Sequence, residues 1–184
     1  KQLVSALNSD KNYALGADIT IDSWDTIESY KGTLDGKGHT ITIREVEGEF
    51  IRILYGTLMN INIVVEDSDI VVDGNEAIVV LSSASGSKIH NVDVCISTTF
   101  TNASKIDNST DTYIVATLCY ENLGTISDCD MSVEYTYHSS GTTNMHLAGL
   151  VGVNYATIEN CTTTVGSSIV ATDVDVAGLV AYNH

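Results

Sequence analysis

Acids supply most of the side chains on this chain that could do chemistry. Twenty-four aspartates and glutamates stand against eight lysines and arginines. Several acids are close neighbours: Glu66, Asp67 and Asp69; Asp107 and Asp111; Asp128 and Asp130; Asp173 and Asp175. Paired carboxylates can divide acid and base work at a glycosidic bond. A dense run can also hold calcium, a hard cation that takes several oxygen ligands. The run from Glu66 to Asp69 makes Glu66, Asp67 and Asp69 the candidate calcium ligands, although it lacks the glycine and closing glutamate of an EF-hand loop. Polysaccharide cleavage without paired acids needs a basic residue beside an acid cluster. The only arginines are Arg44 and Arg52, and no acid pair falls at matching repeat positions with a base nearby. The expectation is a chain with no catalytic residue and no obligatory cofactor.

The other reactive residue types point the same way. His39, His90, His138, His146 and His184 are scattered, and no serine or cysteine is spaced to complete a triad with them. Cys95 and Cys119 have no zinc-type spacing to a histidine, and all four cysteines are expected as free thiols. Tyr113, Tyr135, Tyr137 and His138 lie in or beside two stretches, Ser97 to Thr112 and Glu134 to His146, whose Ser, Thr, Asn and Gly content favours loops or solvated strands. Loops on a rigid scaffold often carry binding, so these four residues are the candidate platform for stacking on sugar rings. Asn102 and Asn108 begin glycosylation-type acceptor triplets.

What would position these residues is a repeat. Leu150-Val-Gly-Val-Asn-Tyr-Ala-Thr-Ile-Glu-Asn-Cys161 matches Leu118 to Cys129 at the leucine, the asparagine (Asn122, Asn154), the Thr-Ile pair and the cysteine. One column reads Leu58, Ile89, Ile126, Ile158, spaced by 31, 37 and 32 residues. Others read Phe50, Leu81, Leu118, Leu150, Leu179; Ile61, Val92, Cys129, Cys161; and Asn60, Asn91, Asp128, Asn160. A constant inner spacing with slack between units is how a solenoid reads. The cysteines replace small hydrophobes. The Asn/Asp column is expected to be a structural ladder of bonded side chains at a bend. The absence of proline suits stacked parallel strands, which need nearly every backbone N–H.

A formal charge of −16 argues against nucleic acid and anionic membranes as partners. No apolar run approaches a membrane-spanning helix. The chain opens on lysine without a signal peptide and reads as a mature or trimmed chain. Leu3, Val4 and Leu7 share a face at helical spacing, which predicts a short capping helix over residues 1–10. Coils follow from about residue 13 to 184. The last copy stops at Tyr182-Asn183-His184, so either the natural protein continues or the open end packs on another copy.

The run Tyr13-Ala-Leu-Gly-Ala-Asp18-Ile19, followed by Gly32-Thr-Leu-Asp-Gly-Lys-Gly-His39-Thr-Ile41, resembles the opening of bacterial surface proteins with a pectin-lyase-like right-handed β-helix. Ala148-Gly-Leu-Val-Gly152 and Ala177-Gly-Leu-Val-Ala181 are similar to the GLUG repeat of those proteins, which also occurs outside the catalytic domain of some immunoglobulin A-cleaving peptidases. The resemblance implies an exported, extracellular or cell-surface protein. Together with the columns it predicts an all-β chain: a single right-handed parallel β-helix with a short N-terminal capping helix. The expected role is a non-catalytic, adhesin-like module contacting carbohydrate or a host surface protein. The competing expectations are a polysaccharide lyase or glycoside hydrolase on the same fold, and a mechanical spacer.

Overall fold

The computed structural model describes residues 2–8, 10–22, 26–46, 48–67, 69–103, 106, 110–138, 143–170 and 174–184, without the side chains of Gln2, Val4, His138 and Val170. Among the described residues the β-branched runs form twenty-one strands after one helix, Gln2–Leu7. Every strand pairing among the described residues is parallel. A six-stranded sheet takes one strand per coil: Ile27–Tyr30, Ile51–Leu54, Val80–Ser83, Cys119–Asn122, Val151–Asn154 and Val180–Asn183. A four-stranded sheet holds Glu76–Ala77, Thr112–Ala116, Asn144–Ala148 and Val174–Ala177, and an eleven-stranded sheet holds the rest. Because the chain returns to each sheet once per coil, the molecule is a parallel β-helix. At the N-terminal end Leu7 of the helix is fully buried in the core and Leu3 packs against it, as a cap requires.

Inward positions stack in register. Leu34, Leu58, Ile89, Ile126 and Ile158 form one column, and Ile61, Val92, Cys129 and Cys161 another. These belong to one apolar core that begins at Leu7 and is flanked at its far end by Val174 and Val180. Burying each such Leu or Ile contributes roughly 1.5–3 kcal/mol.

One column differs from expectation. Val80 pairs with Ile51 and with Cys119, so Val79, not Leu81, lies between Phe50 and Leu118. The cause is a longer corner: Ser83 aligns with Leu54 and Lys88 with Thr57, five residues apart in one coil and three in the other. The extra pair forms a turn closed by Ser87 N donating to the Ala84 carbonyl (3.0 Å), with Gly86 at φ 86°. In the neighbouring coils this corner is too tight for a side chain. A Cβ on Gly56 would strike the Gly32 carbonyl oxygen, and one on Gly124 would strike Ser87.

The Asn/Asp column has a backbone cause. Asn60, Asn91, Asp128 and Asn160 have φ of 53°, 51°, 54° and 53°, and Gly38, aligned with Asn60, has 81°. The two long strands Thr57–Val65 and Lys88–Asn102 bend at these left-handed residues, a region that asparagine, aspartate and glycine tolerate best. The bonds are partly as expected. Asn60 Nδ2 donates to Asp35 Oδ1 (3.0 Å), Asn91 Nδ2 to Asn60 Oδ1 (3.0 Å), and Asn160 Nδ2 to Asp128 Oδ1 (3.2 Å). The ladder is interrupted between Asn91 and Asp128, where Asp128 Oδ2 faces His90 Nδ1 at 3.2 Å. It lies at the surface rather than in the core.

The buried amide ladder is elsewhere. Ser83 Oγ donates to Asn122 Oδ1 (2.7 Å), Asn122 Nδ2 to Asn154 Oδ1 (2.8 Å), and Asn154 Nδ2 to Asn183 Oδ1 (2.7 Å). Asn122 also accepts from Gly124 N and donates to the Thr157 carbonyl, which ties the corner of each coil to the next.

Candidate functional site

Two of the four residues expected to form the sugar platform, Tyr135 and Tyr137, are not on the surface. The strand Asp130–His138 runs through what the composition suggested was a loop, and its alternation sends Met131, Val133, Tyr135 and Tyr137 inward. Tyr135 is 1% and Tyr137 0% exposed, so neither ring has a face to offer a ligand. Tyr135 stands edge-on to Phe100, with ring centroids 5.0 Å apart. Its hydroxyl bonds to Thr117, and burial pushes the phenol well above its ordinary pKa. Tyr137 donates to Asn102 Oδ1 at 2.8 Å. Tyr113 is half-buried and packs against the core. The His138 side chain lies outside the described residues, as do Asp107, Asn108 and Asp173.

The candidate calcium ligands do not converge. Asp67 spends Oδ2 on the Val46 N–H (2.8 Å) and Oδ1 on that of Asp69 (3.1 Å), while Glu66 pairs with Arg44. Among the described residues no three Asp, Glu, His or Cys side chains are grouped to share a metal ion. The acids of this run close a turn and hold a neighbouring coil.

The fold also brings bases beside acids, which the sequence reading did not anticipate. Arg44 sits between Asp22 (3.1 Å) and Glu66 (3.4 Å), and Arg52 between Glu49 (2.7 Å) and Glu28 (3.0 Å). Arg52 lines a recess of about 720 Å³ with Glu49, Asp69, Asp73 and Glu76. Glu49 first, then Glu28, strengthens the hold of this guanidinium on its proton. On another face Lys88, His90, Ser127 and Glu159 share a recess of about 470 Å³ with Thr33, Thr57 and Thr125. Toward the last coil, Tyr182 Oη and His146 Nε2 are 2.9 Å apart, and His146 Nδ1 lies 3.3 Å from Asp175. Each set joins residues from coils far apart in sequence.

A continuous polar surface covers the outer face of the strands Thr57–Val65, Lys88–Asn102, Asp130–His138 and Thr162–Val170. Their outward positions stack in rows: Asn62, Asp93, Asp130, Thr162; Val64, Cys95, Ser132, Thr164; Ser97, Glu134, Gly166; Thr99, Thr136, Ser168. These rows line two adjoining shallow recesses of about 410 and 430 Å³. The trough is shallow because its side chains are small, and Gly166 leaves open space beside Glu134. Serine and threonine hydroxyls line it and three carboxylates edge it, Asp93, Asp130 and Glu134, with no described arginine or lysine. Ser97 Oγ reaches Glu134 at 3.3 Å, Asp93 takes the Asp130 N–H at 3.0 Å, and Thr162 donates to Asp130 at 2.5 Å. Such a surface can exchange hydrogen bonds with a polyhydroxylated partner but has no cation for an anionic one.

The cysteines are free thiols. Cys129 and Cys161 stack directly in adjacent coils. Their closeness couples the two thiols, with Cys129 drawing the Cys161 pKa down to about 7 and Cys161, with burial, raising that of Cys129. Burial pushes Cys119 up to about 12.

Comparison with protein-family models, with curated proteins and with solved structures returned no match.

Proposed function

We propose that this chain is a non-catalytic β-helix module of an exported bacterial surface protein and that it contacts glycans through the hydroxyl-lined trough. The observation that carries this reading is the trough itself. Four coils contribute small hydroxyl or carboxylate side chains in rows about 4.8 Å apart, with a floor too flat to hold a small molecule on all sides. A sugar chain lying across the rows meets acceptors that bind vicinal hydroxyl pairs, chiefly Asp93, Asp130 and Glu134. Excess negative charge favours neutral over acidic glycans. The GLUG-like blocks support export to the bacterial surface. They also have a packing role: a Cβ on Gly152 would crowd the Tyr120 carbonyl (2.8 Å) and the Ile114 methyl (2.9 Å).

The test is saturation-transfer NMR with neutral oligosaccharides, on the wild type and on a Ser132→Trp variant that fills the trough. Binding by the first and loss in the second is the expected result. Binding that survives Ser132→Trp, or a negative result across neutral glycans, sinks the reading. A carbohydrate-active enzyme is the second reading, favoured by the recess that joins Lys88 and His90 to Glu159. Release of new reducing ends or unsaturated products from a polysaccharide panel would overturn the non-catalytic assignment.

A further inference from the structure

We propose that the Lys88–His90 recess is an oxyanion-binding site, taking a sulfate or phosphate group, on a face separate from the trough. Lys88 stands out first by charge. Among the described bases, Lys31, Lys37, Arg44 and Arg52 each form ion pairs with carboxylates, whereas Lys11 and Lys88 have none, and of these two it is Lys88 that lines a recess. In a chain of net charge −16 such a cation, set in a concavity, is an exception. The surroundings are donors. Register places Thr57 and Thr125 on either side of Lys88 in its row, with Met59 and Ser127 on either side of His90 in the next. All six line the same recess.

His90 is positioned rather than loose. Its Nδ1 lies 2.9 Å from Ser127 Oγ and 3.2 Å from Asp128 Oδ2, and Asp128 is itself held by Asn160. With Nδ1–H directed at Asp128, Nε2 is the ring atom left for a ligand, and on protonation it becomes a second charged donor beside the Lys88 ammonium. The carboxylates facing this histidine are Asp128, in contact, and Glu159, two coils along the same row. Glu159 bounds the site on one side and keeps the anion near Lys88. A tetrahedral oxyanion there would take Lys88 Nζ, the imidazolium N–H and threonine hydroxyls. No described arginine lines the recess to impose planar, bidentate recognition, so the ligand class is a compact oxyanion.

The experiment is an NMR titration of the full chain with sodium sulfate and with inorganic phosphate, against sodium chloride at matched ionic strength. Saturable shifts at Lys88 and His90 with the oxyanions and not with chloride are expected. They should weaken about fivefold in both Lys88→Ala and Lys88→Gln. Arg52→Gln, which removes a charge from the separate recess beside Glu49 and Glu76, should change nothing, and Glu159→Gln should tighten binding. A sulfated oligosaccharide that binds better than its desulfated counterpart and better than free sulfate assigns the anion to a glycan substituent. Equal or better binding of free phosphate assigns it to a free ion. Equal shifts with chloride, or an affinity indifferent to both Lys88 variants, overturn the site. Ser132→Trp in the trough should leave this titration unchanged, so the two readings fail separately.

Discussion

Two amide ladders run along this molecule, and they hold asparagines for different reasons. The outer one, Asn60, Asn91, Asp128 and Asn160, sits at the surface, and its backbone is left-handed at every step. There asparagine is selected for a conformation, and an aspartate serves equally well because water solvates the charge. The inner one, Ser83, Asn122, Asn154 and Asn183, shows no such backbone and is sealed up to its exposed last member: Asn122 is 0% and Asn154 5% exposed. There asparagine is selected for valence, because each amide must accept from one coil and donate to the next. Identity of residue type along a solenoid therefore does not mean identity of role. The cost of a lost hydrogen bond decides one ladder and the cost of a strained φ the other.

Placing a carboxylate in each ladder separates these roles most sharply. Asn122→Asp should lower stability at neutral pH by about 3–5 kcal/mol, since a buried unpaired charge has no solvent. Its deficit should shrink as pH falls, because burial raises the carboxyl pKa and the protonated form is the tolerated one. Asn160→Asp, which sets a second carboxylate against Asp128 but in solvent, should cost about 1 kcal/mol or less. Urea denaturation at several pH values measures both, and equal losses would erase the distinction. Asn122→Ala should cost about 1–3 kcal/mol, as Ser83 Oγ loses its acceptor and Gly124 N–H and Asn154 Oδ1 keep only longer bonds of 3.3 Å to Ser83 Oγ and from Ala156 N. In the outer ladder Asn91→Val should cost about 1–2 kcal/mol and Asn91→Gly less than about 1, a ranking by φ and not by hydrogen bonding. If Asn91→Gly proved as harmful as Asn91→Val, the Asn91–Asn60 bond would be the cause instead.

The smallest effect is at the start of the outer ladder. Lys37 first, then Asn60, holds the Asp35 carboxyl down at about 2. A depressed folded-state value means that its contribution is present above the ordinary aspartate range and is lost as pH falls toward 2. Asp35→Asn should flatten the pH dependence of stability in that window and leave neutral pH almost unchanged. Thiol labelling gives an independent view of the stack. Iodoacetamide should modify exposed Cys95 and the half-buried Cys161 well before Cys119 and Cys129, and the Cys161 rate should rise through pH 7.

Much of the fold was legible because solenoid columns repeat at nearly fixed spacing. Leu58, Ile89, Ile126 and Ile158 could be aligned by eye, and so could Cys129 with Cys161. The error at Leu81 arose because Val79 and Leu81 are both apolar and have the same parity along a strand. Only the length of the Ser83–Lys88 corner chooses between them. The inner asparagines were visible as matched letters in the repeat, yet nothing in the letters said that they faced the core. Tyr135 and Tyr137 were misplaced because serine, threonine and glycine just beyond them suggested a loop. The parity they share with Met131 and Val133 was the better signal.

Sequence alone determined the architecture: the columns, the exclusion of proline, the capping helix and the bend marked by Asn and Asp all follow from local periodicity and conformational preference. Tertiary structure alone decided the surfaces. The trough sums outward positions from four coils, and the Lys88–His90 recess sums positions from five, each coil about thirty residues from the next. A face of this kind has no continuous stretch of chain to announce it. It exists because stacking places side chains about 4.8 Å apart that the sequence holds tens of residues apart.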